Sequence, residues 1–170
     1  MTEDIRHIEF IASKSKDFID RQISSYRQKQ ANAASIMAII SLFIPFFLTG
    51  LDEASFIIRI FSIVPVAFFV FSIFSLLEVL KSKPLDQGFH TNKFQELVNA
   101  DYKKVLLYEI GANQSSFIDN EKKVNNANRI FMRGVKVTTI AVAISIVLLL
   151  VSKFVKPVKV DSPLKVKIIS

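Results

Sequence analysis

Four cations in one short stretch, Lys122, Lys123, Arg129 and Arg133, alternate with the amides of Asn125, Asn126 and Asn128. Cations hold phosphates through charge-assisted hydrogen bonds and amides pair with base edges, so these residue types at helical spacing could dock a nucleotide. The simpler reading is a solvated helix face turned toward anionic lipid. Catalytic chemistry has fewer candidates. The chain has no Cys, which removes thiolate nucleophiles, disulfides and Cys-based zinc sites. Its two His residues, His7 and His90, are far apart and lack a ligand motif. Neither phosphate-cradling glycine pattern occurs among its four Gly residues. The carboxylates Glu78, Asp101 and Glu109 show no arrangement suited to paired acid-base work. The expectation is a protein that is not an enzyme and carries no cofactor and no metal.

The elements that must position these residues are set by hydrophobic blocks. Of the 170 residues 51% are apolar, and the net charge is +7. Residues 33–48, "AASIMAIISLFIPFFL", are free of charge, about the minimum for a ~30 Å hydrocarbon core at ~1.5 Å per residue. A second block, 56–77, contains Arg59 and Pro65 and follows the seven residues "TGLDEAS", too few for anything but an antiparallel hairpin. Arg59, near the block's end, reads as a snorkelling anchor. A third charge-free block, 137–151, lies between Lys136 and Lys153. No charge falls mid-bilayer in any span, which argues against a proton relay or ion-coupled carrier.

Orientation follows from the cations. Six Lys/Arg precede residue 36 and ten lie between Lys81 and Lys136, whereas the short first loop with its rim has only Arg59. Both long polar segments are therefore expected in the cytoplasm. The first residues mix acids and bases at helical spacing, which does not read as a signal peptide. Three spans place the five lysines of the tail outside. That tail alternates apolar residues with Lys around Asp161, Ser162 and Pro163, which suggests a small hairpin.

A single periodic stripe joins the polar and apolar parts. Stepping four then three gives Leu106, Ile110, Asn113, Phe117, Asn120, Val124, Ala127, Phe131, Gly134, Thr138, Ala141, Ser145, Leu148 and Ser152. No Pro interrupts residues 85–156, so one helix can run through the boundary, with Gly111 and Gly134 as weak points. In its polar part Asn113 and Asn120 sit on an otherwise apolar stripe, a pattern that specifies partner and register. In the apolar part the stripe becomes small and hydroxyl-bearing, and two readings stay open. Gly134, Thr138, Ala141, Ser145, Leu148 and Ser152 either let helices pack closely or line a pore between copies, with Leu148 as its constriction.

Ile5, Ile8, Ala12, Ser15, Phe18 or Ile19, Gln22 or Ile23, and Tyr26 form another helical stripe, expected to pack on the helix of residues 106–131. Pro84 and Gly88 mark a turn, and a helix is expected to start after Thr91 or Asn92 with Phe94, Leu97, Val98, Tyr102, Val105 and Leu106 inward. The predicted fold is thus an all-α membrane protein. An N-terminal amphipathic helix (1–32) leads to a transmembrane hairpin (33–80), then a long cytoplasmic helical segment of sensor or coiled-coil type (81–133). That segment continues into a third transmembrane helix (134–153), followed by a Lys-rich, β-hairpin-like tail (154–170).

This layout, with "KFQELVNADYKKVLLYEIGANQSSFIDNEKKVNNANRIFMRG" between the hairpin and the last span, resembles the small membrane effectors of bacterial anti-phage systems. These are the two-transmembrane or SLATT-type effectors, the Pycsar membrane effectors and the related Hailong membrane effector. In sequence the likeness is carried by residues 102–131: an aromatic-Lys-Lys start, an aliphatic-Gly-small-Asn turn, then Lys-Lys and a small and aromatic run. The resemblance implies a homo-oligomer in the bilayer of the bacterial inner membrane. It also implies control by a nucleotide or oligonucleotide second messenger from a partner nucleotidyltransferase or cyclase, and action by depolarising or permeabilising the cell. It maps sensing onto the cytoplasmic helix bearing Asn113, Lys122 and Lys123, and together with the run of cations and amides this gives a candidate ligand-binding set of Asn113, Gln114, Lys122, Lys123, Asn126 and Arg129. The alternative is a non-conducting membrane scaffold or anchor that recruits a cytoplasmic partner through its coiled-coil helix.

Overall fold

The computed structural model describes residues 3–81, 83–89 and 91–155. Two long helices dominate it, α1 (Glu3–Thr49) and α5 (Tyr102–Phe154), of 47 and 53 residues. At ~1.5 Å per residue they are rods of roughly 70 and 80 Å. Between them lie α2 (Phe56–Phe61), α3 (Ile63–Leu80), a 3₁₀ turn (Thr91–Lys93) and the single-turn α4 (Phe94–Leu97). No strand occurs among the described residues, and the expected hairpin of the tail lies outside them.

The rods run parallel and keep one register. Lys103 Nζ binds Asp4 Oδ2, 99 positions away, and Asn113 Nδ2 donates to Ser15 Oγ, 98 positions away. At the other end Gly50 lies against Leu149, the same offset again. Heptad burial explains this constancy. Ala12, Ile19, Tyr26, Ala33, Ile40 and Phe47 are buried on α1, and Leu106, Asn113, Asn120, Ala127, Gly134 and Ala141 on α5. A strict seven-residue repeat keeps one seam facing its partner along both rods. Neither rod breaks where polar sequence gives way to apolar. The expected boundaries at residues 32/33 and 133/134 fall inside α1 and α5, and α1 continues through Pro45 to Thr49.

α3 packs antiparallel on one side of this pair, converting its apolar half into a three-helix bundle. Its core joins Ala33 and Ile40 of α1, Phe69, Leu76 and Val79 of α3, and Ile130 and Ala141 of α5. The stretch 56–80 is interrupted at Ser62, three residues before Pro65. Proline has no N–H to return to the carbonyl four residues back, so a single uninterrupted helix is disfavoured there. The turn before α2 is closed by Arg59, whose Nη2 donates to the Asp52 carbonyl, while Leu51, Ala54 and Ile58 pack on Phe47. Arg59 is thus held by its own loop.

α1, the stretch Phe56–Leu80 and α5 are each long and apolar enough to cross a membrane. Only 17% of the most apolar window of α1 and of α5 is buried within the chain. The remaining apolar surface is what a hydrocarbon environment accommodates.

One expectation fails in the polar half. Residues 91–101 do not form the start of a long helix. A 3₁₀ turn and one α turn are followed by a break at residues 98–101, and α5 begins after Asp101, whose extended backbone occupies the N-cap. Phe94, Val98 and Tyr102, expected inward, are exposed, because only Leu97 and Leu106 reach apolar cover there.

Candidate functional site

The polar half is organised around two amides of α5. Asn120 is fully buried, and its side chain takes both polar groups of one backbone residue. Its Oδ1 accepts from the Asp86 N–H at 2.8 Å and its Nδ2 donates to the Asp86 carbonyl at 2.7 Å. Asn113, 3% exposed, donates to Ser15 of α1 and lies under Gly88. Gly88 has φ +89°, and a Cβ there would stand 2.2 Å from Asn113 Oδ1. Both the backbone and the close approach therefore require glycine.

Residues 83–89 consequently form an extended strap that prolongs the path of α3 along the rods. Tyr26 Oη donates to the Lys83 carbonyl (3.2 Å), Gln30 Nε2 to the Val79 carbonyl (3.4 Å) and Lys123 Nζ to the Pro84 carbonyl (3.5 Å). Asp86 Oδ1 accepts from Gly88 N–H, an Asx turn that bends the strap toward Asn113. Phe89 then packs against Phe94 and edge-on against Tyr108. A strap with no secondary structure of its own must bond its backbone to its surroundings, and Asn120, Tyr26 and Lys123 meet that need.

The tip of the rods is tied by polar contacts above a small cluster of Ile8, Ala12 and Leu106. Tyr102 Oη donates to Glu9 Oε1 at 2.7 Å, and Lys103 binds Asp4 at 2.6 Å. The hydrogen bond and charge of Lys103 hold the Asp4 carboxyl below its ordinary value, and the bond to Glu9 pushes the Tyr102 phenol up.

The six candidate ligand residues do not converge. Asn113 is engaged with Ser15, and Lys123 reaches the strap. Gln114 lines an open groove on the side of the rods away from the strap, together with Asn113, Ile11, Phe18 and Phe117, so two of the six share a hollow. Lys122, Asn126 and Arg129 share one exposed stripe of α5 that Arg133 and Lys136 continue. Arg129 Nη2 donates to Asn126 Oδ1 (3.1 Å), and Arg129, Arg133 and Lys136 line a shallow hollow of about 460 Å³ with Met132 and Val137. That stripe presents cations at the junction of the polar and apolar halves, where phosphate groups would meet them.

The small-residue face of α5 is occupied within the single chain. Ser72 Oγ donates to the Gly134 carbonyl (2.9 Å) and lies 2.6 Å from Thr138 Oγ1. A Cβ on Gly134 would fall 2.9 Å from Leu76 Cδ2, so the missing side chain is what brings α3 this close. Ala141 and Ser145 are fully buried, Ser145 donating to the Ala141 carbonyl. Leu148 and Ser152 are half-buried. Within the single chain this face is taken up by close packing against α3.

The strap was legible in sequence only as a turn at Pro84 and Gly88. Its α1 anchor, Tyr26, carries no chemical motif that would mark it. No protein-family model, curated protein or solved structure matches the chain.

Proposed function

We propose that this chain is an oligomeric membrane effector of bacterial anti-phage defence. It sits in the inner membrane with its polar half in the cytoplasm, and a nucleotide-derived signal acting on that half permeabilises or depolarises the membrane. The observation that carries this reading is the unbroken course of α1 and α5 across the junction in one constant register. A rod pair of that kind shares one seam along its length, so a shift at one end is passed along the seam toward the other. A ligand that favours one arrangement of the strap and rods would therefore bias the membrane bundle by its differential affinity.

The cations of the Lys122, Asn126 and Arg129 stripe suit the phosphates of such a signal, and Lys123 links that turn of α5 to the strap. The excess of Lys/Arg in the segments before residue 36 and between Lys81 and Lys136 supports their cytoplasmic placement. Because the Ser145 face is filled, the surface better suited to conduction is the exposed side of α1. There Ser35, Ser41 and Thr49 stand with Ala34, Ala38 and Pro45. Each of the three hydroxyls already donates to a backbone carbonyl one turn earlier, so they can face lipid or accept from water.

The test is ion flux through purified protein in liposomes, together with membrane-potential dye readings in cells expressing it. Flux that Ser41→Leu reduces and Ser145→Leu leaves gated differently supports the reading. Absence of flux with any nucleotide favours the second reading, a non-conducting anchor, which the apolar groove beside Gln114 would serve as a recruitment surface.

A further inference from the structure

α3 and the strap cover the same side of the rods, and among the described residues nothing covers the other side. In the apolar half bareness is unremarkable, since lipid can cover Ile39, Phe46 and Ile146. In the polar half it is not. There the bare side is a groove of about 410 Å³ between Ile11 and Phe18 of α1 and Ile110 and Phe117 of α5. Phe18 is 58% exposed, and Leu107 and Ile118 extend the apolar surface on α5. Contiguous apolar surface in water marks an interface.

We infer that this groove is the contact between two copies of the chain, related by a twofold axis along the membrane normal. The inference rests on the reading of the chain as membrane-spanning in one orientation. Copies inserted the same way can be related only by axes along the normal, and such a twofold axis places α1 of each copy opposite α5 of the other. The charges at the groove's edges match that arrangement. Lys14 and Gln114 form its two rims. One heptad further on, the α1 rim carries Arg21 and the α5 rim carries Glu121, both exposed. With the rods offset by 98 positions, Arg21 lies within two residues, roughly 3 Å, of the height of Glu121. The axis therefore sets Arg21 of each copy against Glu121 of the other, twice. A pairing of α1 with α1 would oppose Arg21 to Arg21 instead. At this exposure the ion pairs add little affinity but decide which helix meets which, while burial of Phe18 and Phe117 drives association. Two rod pairs joined this way form a four-helix bundle in the polar half.

The chain has no native Cys, so single cysteines report cleanly. Phe18→Cys and Gln114→Cys lie in the groove, whereas Lys16→Cys and Asp20→Cys lie on the strap side beside Gln87. The full chain in native membranes, treated with a short bismaleimide, is expected to give dimer bands for the groove variants about tenfold stronger than for the strap-side variants. Arg21→Glu, added to Gln114→Cys, which leaves Phe18 and Phe117 in place, is expected to lower that yield by about tenfold, and adding Glu121→Arg to restore it. Equal bands on both sides would overturn the interface. So would absence of dimers from groove cysteines that a monofunctional maleimide labels, or linkage to a different protein in place of a second copy. Cross-linked dimers that conduct no ions would keep this interface and remove the pore reading, so the two proposals fail separately.

Discussion

Asn120 of α5 grips the backbone of Asp86 by both edges of its amide, at 2.8 and 2.7 Å, in a fully buried position. The chain uses that amide as a substitute for a neighbouring strand. It pairs the N–H and the carbonyl of an extended segment that lies beside an apolar seam.

Asn120→Ala removes both bonds and is expected to weaken strap docking by about 2 kcal/mol. Limited proteolysis in detergent should then cut within residues 83–89, while the apolar bundle stays protected. Asn120→Asp keeps the shape but replaces the donor with an acceptor facing the Asp86 carbonyl, so cleavage at least as fast as in the Ala variant is expected. Slow cleavage of Asn120→Asp would show that packing, not hydrogen bonding, holds the strap.

Three glycines should separate by sign. Gly88→Ala meets both the positive φ and Asn113 Oδ1, and is expected to lose about 2 kcal/mol or more. Gly134→Val drives methyl groups into Leu76 and is expected to lose about 1–3 kcal/mol by prising α3 from α5. Gly111 sits in an exposed helical turn, and among the described residues nothing beyond its own stretch of helix backbone comes within 4 Å of the point a Cβ would occupy. There Ala should gain about 0.5–1 kcal/mol. Thermal unfolding in one detergent ranks all three.

The tip should loosen at both ends of the pH scale. Asp4 titrates below its ordinary 3.8, so its contribution is present above that value and is lost as pH falls through the lower folded value. Tyr102 titrates above its ordinary 10.0, so its bond to Glu9 is intact below that value and is lost as pH rises through the higher one. Amide exchange at Val105 and Leu106, corrected for intrinsic rates, should show protection falling on both limbs. Lys103→Met should flatten mainly the acid limb, and Tyr102→Phe mainly the alkaline limb.

The hydroxyl pair inside the bundle gives a further expectation. Ser72→Ala leaves Thr138 bonded to its own Gly134 carbonyl, so a loss of only about 0.5–1 kcal/mol is expected. Ser72→Leu must displace α5 near Gly134 and should cost several times more. Equal effects would indicate that α3 and α5 are not packed as described.

How much of the fold is readable from sequence depends on periodicity. The stripe from Leu106 to Ser145 repeats every seven residues, and the rod it implies runs unbroken past Gly134. Three apolar blocks, two free of charge and one holding Arg59 near its end, mark the candidate spans because length and apolarity are properties of single segments. The strap carries no period, so nothing local announces that it lies along the seam. For the same reason Asn113 and Asn120 read as contacts between helices, whereas Asn120 bonds the chain's own backbone; an amide suits either partner equally. Phe117, placed inward by the stripe, stands 38% exposed at the groove while Ser116 is 2% exposed. The strap covers only one side of the seam and shifts burial by one residue. The candidate ligand set scatters because helical spacing fixes a residue's face, but not which neighbour occupies that face.

The parallel course of α1 and α5 constrains how such a chain can change over generations. One residue added to either rod between the tip and the bundle would turn everything beyond it by about 100° and slide it by about 1.5 Å against its mate. Viable relatives should therefore differ in stalk height by whole heptads, roughly 10 Å at a time, gained or lost by both rods together and matched by a longer or shorter return segment.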